Sequence, residues 1–132
     1  MKTTKITDIE LFEPILDIDI ENKHFDLHND FDCKNIYLNK GNTILFDFQS
    51  IKSNNRINIT FTNAEIAKAK FSIIETAKQQ TLSNFYRGRF QNGDGTLKEL
   101  NKQGQKYFYL DFSEGQQLEI FATEGVVALF EN

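Results

Sequence analysis

Little in this chain could hold it together covalently. Cysteine occurs once, as Cys33, so no intrachain disulfide can form and a disulfide scaffold is excluded. Proline also occurs once, as Pro14, ahead of the first alternating run, where a residue without a backbone N–H is tolerated. Tryptophan is absent. Histidine occurs only at positions 24 and 28, so histidine-based chemistry would have to come from that one segment. No stretch nears the roughly 20 apolar residues of a membrane-spanning helix. The opening MKTTKITDIELFEPILDIDI has no apolar core of signal-peptide length, since Asp8, Glu10 and Glu13 interrupt it. With the lone thiol, this reads as a cytoplasmic protein. Asn58-Ile59-Thr60 then reads as a chance glycosylation match. Catalytic signatures are also missing: there is no Gly-x-Ser-x-Gly elbow and no Gly-Lys-Ser/Thr phosphate loop. Nor is there a cationic surplus. Fifteen Lys and Arg stand against 19 Asp and Glu, a formal charge of −4 and a pI near 5.2. That excludes a general phosphate-backbone binder.

What remains is a chain of 132 residues, fitting one domain over 1–132. It is 39% hydrophobic and 26% charged, as soluble globular proteins are. Phenylalanine is over-used, at 13 residues beside four tyrosines. The abundance of Lys, Asn and Ile suggests an AT-rich bacterial genome. Charge is unevenly spread. Residues 1–32 hold nine acids and three bases, a net of −6, and the rest hold ten acids and twelve bases, a net of +2. An acidic third on a mildly basic remainder is either a solubilising edge or a patch that docks a basic partner by charge complementarity.

Period-2 alternation dominates and predicts half-buried antiparallel strands. Leu16, Ile18 and Ile20 alternate with Asp17, Asp19 and Glu21. Ile36 to Ile44 reads as a hairpin around Lys40-Gly41-Asn42. Ile57, Ile59 and Phe61 alternate with polar residues. Residues 106–112 and 117–123 form a second hairpin, and 126–130 a last strand. Residues 64–74 fit a helix by propensity, but Ala67, Ala69, Phe71 and Ile73 alternate with Lys68, Lys70 and Ser72, which favours a strand. Ile74, Ala77, Leu82, Phe85 and Tyr86 recur at helical spacing, predicting one helix near residues 75–86 that ends at Gly88. The expected fold is therefore α+β and β-dominated: an antiparallel β-sandwich or twisted sheet of about eight to ten strands with that helix. The Phe residues of the strands would fill its core.

Three constellations invite a chemical reading. His24, Asp26, His28, Asp30 and Asp32 would share one face if extended, a donor set that suits a transition metal. Residues at i and i+2 on a strand lie about 7 Å apart, however, too far for most pairs to share an ion, so a solvated acidic segment is the simpler reading. Asn92 to Leu97 looks like part of a calcium loop. Aligning Gly95 with the obligatory glycine puts Phe90 and Asn101 where carboxylates are needed, which excludes it. Tyr86-Arg87-Gly88-Arg89-Phe90 interleaves bases with aromatics, as nucleic-acid contacts do, but the whole-chain charge opposes that use.

The segments LHNDFDCKNIYLNKGNTILFDFQS (27–50), INITFTNAEI (57–66) and YFYLDFSEGQQLEIFATEGVVALF (107–130) resemble small β-rich immunity proteins of bacterial toxin–immunity systems. The resemblance implies a protein with no catalytic residue and no cofactor, which blocks a cognate toxin domain by binding it. Many such toxins are basic nucleases, so the expected partner-binding residues are the acids Asp17, Asp19, Asp26, Asp30 and Asp32. The expected partner is a protein, not nucleic acid or membrane. The alternative is a small-molecule-binding β domain with an aromatic-lined pocket, which the Phe and Tyr count motivates. An enzyme built on His24 and His28 ranks last.

Overall fold

The computed structural model describes residues 1–70, 80–92, 97–113 and 115–131. These residues form strands and no helix. In chain order the strands are β1 (Lys2–Lys5), β2 (Asp17–Ile20), β3 (Lys23–Asp26), β4 (Phe31–Asn39), β5 (Thr43–Ser50), β6 (Arg56–Thr62), β7 (Glu65–Lys70), β8 (Leu82–Arg87), β9 (Phe90–Asn92), β10 (Leu97–Glu99), β11 (Asn101–Lys102), β12 (Gln105–Phe112), β13 (Gln117–Ala122) and β14 (Glu124–Phe130). Every pairing between them is antiparallel.

One five-stranded sheet runs β1-β14-β6-β5-β4. The other runs β11-β12-β13-β7, with β8 also paired to β12. Their apolar faces meet. Phe46 and Phe61 of the first sheet contact Phe85, Phe108 and Phe112 of the second, with Phe61 and Phe108 centroids 4.9 Å apart. All five rings are buried. The Phe excess is therefore largely structural, because alternation carries these side chains to the inner face.

A single ribbon joins the two sheets. β6 pairs with β14 in the first, and their continuations β7 and β13 pair in the second. The bend falls at Asn63 (φ 47°) and Thr123. Asn63 Nδ2 donates to Thr123 Oγ1 at 2.7 Å, and Gln105 Nε2 donates to the Asn63 carbonyl at 2.7 Å. Strands that turn a corner in this way close sheets around one core. On the opposite side, Cys33 of β4 bridges Gln80, which leads into β8.

The helix expected near 75–86 is not seen. Residues 75–79 lie outside the described part, and Leu82–Arg87 is strand β8. The misleading signal has a physical cause. In the pairing of β8 with β12, Asn84 faces Asp111 and Leu82 faces Phe112, so Ser83 is an extra residue in a β-bulge. The bulge puts Leu82 and Phe85, three apart, on the same buried face, a spacing that also fits a helix. For 64–74 the strand reading holds over Glu65–Lys70, and 71–74 lie outside the described residues. A bulge interrupts the expected alternation there too. Ile66 faces Ile120 and Lys68 faces Glu119, so Ala67 is left without a partner residue and is exposed.

Candidate functional site

The acidic segment forms a short hairpin. β2 and β3 are joined by Glu21 and Asn22, both at positive φ (48° and 69°). Two central residues at positive φ make the tight turn whose twist matches paired strands. Ile18 and Ile20 are buried, so Asp17 and Asp19 must point to solvent, with side chains 61% and 79% exposed. His24 lies opposite Asp19 in register. Its Nδ1 is 2.9 Å from Asp19 Oδ1 and its Nε2 is 3.0 Å from Asp17 Oδ1. A neutral imidazole has one N–H and can donate to only one carboxylate. Both contacts together require imidazolium, and the bonds to Asp19 and then Asp17 raise the His24 pKa above its ordinary 6.5. Outside the turn, Lys23 pairs with Glu131 at 2.8 Å and Lys2 reaches the same carboxylate at 3.1 Å.

The other three expected acids do different things. Asp26 faces Asp17 in register, but its carboxylate folds back into the chain. Its Oδ1 accepts from the backbone N–H of His28 (3.0 Å) and Asn29 (2.9 Å), and Oδ2 accepts from Asn29 Nδ2 (2.7 Å). These bonds, the Asn29 side chain first, hold its pKa below the usual carboxylate value. Asp26 is thus the side-chain partner of the turn that links β3 to β4. Asp30 pairs with Lys52 at 2.7 Å, and its carbonyl accepts from the Ile51 N–H at 3.0 Å. Asp32 sits on β4 opposite Gln49. The fold brings Asp17 and Asp19 together around His24 and places Asp30 and Asp32 beyond the turn.

This arrangement also keeps apart the side chains weighed as metal donors. His28 Nδ1 is 2.8 Å from the Leu82 carbonyl, away from His24. Among the described residues, no group of three or more His, Cys, Asp or Glu side chains is placed to hold a metal ion. Cys33 is buried, and desolvation, ahead of the charge of Asp47, pushes its thiol pKa up to about 12. A thiol held protonated is a poor nucleophile. Part of the calcium-like loop, residues 93–96, lies outside the described residues; its flanks pair as strands β9 and β10.

The Arg87-Gly88-Arg89 motif splits in two. Arg87 is buried; its Nη1 donates to the Ile9 carbonyl at 3.0 Å and its Nη2 lies 3.0 Å from Glu99 Oε1. It anchors the segment that runs along the outer edge of β8, where Phe12 N–H donates to the Arg87 carbonyl and Ile15 N–H to that of Phe85. Arg89 is 60% exposed, 3.3 Å from Glu119 and 5.8 Å above the Tyr107 ring. Phe12 and Tyr109 join this neighbourhood without any local sequence signal, because register alone sets Tyr109 opposite Tyr86 and chain routing alone brings in Phe12.

A surface cavity of about 300 Å3 opens where the β4–β5 turn approaches β7. Leu38, Ile44, Ala64 and Ile66 supply its apolar wall and Asn39, Asn42, Thr43 and Glu65 its polar rim, so its lining holds no aromatic ring. No helix among the described residues is long and apolar enough to cross a membrane. Comparison with protein-family models, with curated proteins and with solved structures returns no match.

Proposed function

We propose that this protein is a non-enzymatic, cytoplasmic binding module that engages the basic surface of another protein through the β2–β3 hairpin. On the strength of the sequence resemblance, the partner is a cognate bacterial toxin domain, neutralised by being covered. The two packed sheets are read as a β-sandwich that holds the hairpin rigid. The observation that carries this reading is the placement of Asp17 and Asp19. They project side by side from a tight hairpin whose opposite face is buried, so their charge is presented with little loss of side-chain or backbone freedom on binding. Acids in such a place steer a basic partner and raise its association rate.

The five expected acids are not equivalent in this proposal. Asp17 and Asp19 carry the contact. Asp30 and Asp32 extend the negative field, and Asp26 holds the turn. The test is capture of partners from the native host with the wild-type chain and with Asp17→Lys/Asp19→Lys, followed by association kinetics at low and high salt. The double reversal should slow association about tenfold or more at low salt and much less at high salt. If the captured protein binds both chains at the same rate, the hairpin is not the contact. If nothing is captured, the binding-module reading fails.

A further inference from the structure

A strand at the rim of a sheet offers its unpaired N–H and C=O groups to any strand that arrives, and most rims of the two large sheets are blocked. β1 is four residues long with a lysine at each end. β8 is covered by the segment in which Phe12 and Ile15 donate to the carbonyls of Arg87 and Phe85. β11 has only two residues. β7 carries Lys68, Lys70 and the bulge at Ala67, each of which discourages pairing. The rim at β4 differs. Cys33 there bridges Gln80, and Lys34 is an extra residue in a bulge. Residues 35–39, Asn-Ile-Tyr-Leu-Asn, then run on without charge, proline or glycine. Among the described residues, nothing pairs with them on the side away from β5. Tyr37 and Leu38 are 46% and 67% exposed, Asn35 and Asn39 are exposed, and Ile36 is half-buried.

The backbone of this stretch is turned to receive a partner. The N–H and carbonyl of Cys33 bond to Gln80 at 2.7 and 3.3 Å, so they point away from β5. Alternation, with Lys34 as one extra residue, turns those of Ile36 and Leu38 the same way. Their side chains lie opposite the buried Phe46 and Ile44 on the inner face, and Asn35, Tyr37 and Asn39 lie on the outer face. The stretch is also chemically symmetric about Tyr37. A second copy laid antiparallel on a two-fold axis at Tyr37 sets Asn35 against Asn39, Ile36 against Leu38 and Tyr37 against Tyr37. Ile36 and Leu38 then exchange backbone hydrogen bonds with each other in both directions, and their side chains meet on the inner face. Moving the axis to Ile36 or to Leu38 would set Lys34 or Lys40 against an aliphatic side chain, which fixes the register. From this self-complementary open edge we infer that two copies of the chain pair through β4, joining their five-stranded sheets into one continuous sheet. One short edge is a small contact beside the roughly 800 Å2 per partner of a standard interface, so the dimer is reversible. At its ends Lys34 of each copy faces Lys40 of the other, so screening by salt strengthens it. The acidic hairpin takes no part in the pairing.

Sedimentation of the full chain over a range of concentrations, at low and high salt, tests this, together with amide hydrogen exchange read by NMR. A monomer–dimer equilibrium should appear, half complete between about 10 µM and 1 mM and tighter at high salt. The N–H groups of Ile36 and Leu38 should exchange freely in dilute protein and become protected as the dimer forms. Tyr37→Lys and Tyr37→Glu each set like charges across the axis and should each weaken association at least about tenfold. Because the Tyr37 ring is nearly half exposed, both variants should keep an unfolding midpoint close to wild type. An equal mixture of the two variants should dimerise again, since opposite charges then meet at the axis. The inference is overturned if the wild-type chain stays monomeric to about 1 mM at high salt. It is equally overturned if Tyr37→Lys dimerises as well as wild type, or if the mixture associates no better than either variant alone. Protection of the Ile36 and Leu38 N–H groups already in the dilute monomer also overturns it, because the edge is then covered within one chain.

Discussion

Phe61 is where the packing argument can be tested most sharply. It is fully buried on β6 and its ring meets three others: Phe46 at 5.9 Å, Phe85 at 6.2 Å and Phe108 at 4.9 Å. Two of these belong to the facing sheet. Phe61→Ala removes the ring and leaves a cavity between sheets that share a continuous ribbon and can collapse only partly. A cost of about 3–5 kcal/mol follows for a Phe→Ala change of this kind. Native domains are stable by only about 5–15 kcal/mol, so the variant should be near the limit of folding at ambient temperature. Phe61→Leu keeps most of the volume and should cost about 1–2 kcal/mol, partly from the lost edge-on ring contacts. Phe130→Ala, at a position 37% exposed, should cost less than about 1 kcal/mol. Urea unfolding followed by circular dichroism gives the three values, with m held constant as the check that only stability has changed. Thermal midpoints should fall by about 3–5 °C for each kcal/mol in a chain of this size. A Phe61→Ala cost below about 1.5 kcal/mol, or one no larger than that of Phe130→Ala, would refute the claim that these rings hold the two sheets together.

Three further outcomes follow from single positions. Gly125 faces Phe61 in register, and a Cβ there would lie 2.9 Å from Ile6 Cγ1 and 3.1 Å from the Phe61 ring, so Gly125→Ala should destabilise by about 1–3 kcal/mol in the same urea assay. The His24 pKa, read by NMR titration of its ring, should exceed 6.5 and drop towards it in Asp17→Asn/Asp19→Asn; because the folded value is raised, the stability that His24 contributes is complete below the unfolded-state pKa and is lost as pH rises through the folded one. Cys33 should resist a disulfide reagent in the native protein at pH 8 and react with one equivalent once urea unfolds the chain; rapid native labelling would contradict the burial that raises its pKa.

The strands were legible where one face is buried and the period is unbroken. Ile57, Ile59 and Phe61 alternate in sequence and are all fully buried, and Lys40-Gly41-Asn42 marks a turn that the fold uses, with Gly41 and Asn42 at positive φ. Reading failed where a bulge changed the period. Ser83 shifts β8 by one residue and turns a strand into a helical spacing. The candidate site was legible only in part. Composition located the acids, yet whether a carboxylate faces solvent or caps a turn depends on local geometry. Asp17 and Asp26 face each other in register, and one is exposed while the other is tied to Asn29. The aromatic contacts around Tyr86 were less visible still, since Phe12 and Tyr109 are far apart in sequence and each reaches Tyr86 only through routing or pairing.

The position of β14 has a consequence for how the chain is made. It lies between β1 and β6, so the first strand of the sequence has no partner in the sheet until the last one exists. During synthesis β6 and β1 must wait on the ribosome with open hydrogen-bonding edges while residues 124–130 are still inside the tunnel. The native register of the ribbon that joins the two sheets becomes available only once residues 117–130 have left the tunnel. Long-range pairing of this kind folds slowly and exposes strand edges meanwhile. The protein's yield in a cell should therefore respond more to chaperone supply and temperature than its equilibrium stability would suggest, and truncations that remove β14 should go to inclusion bodies instead of giving a smaller folded protein.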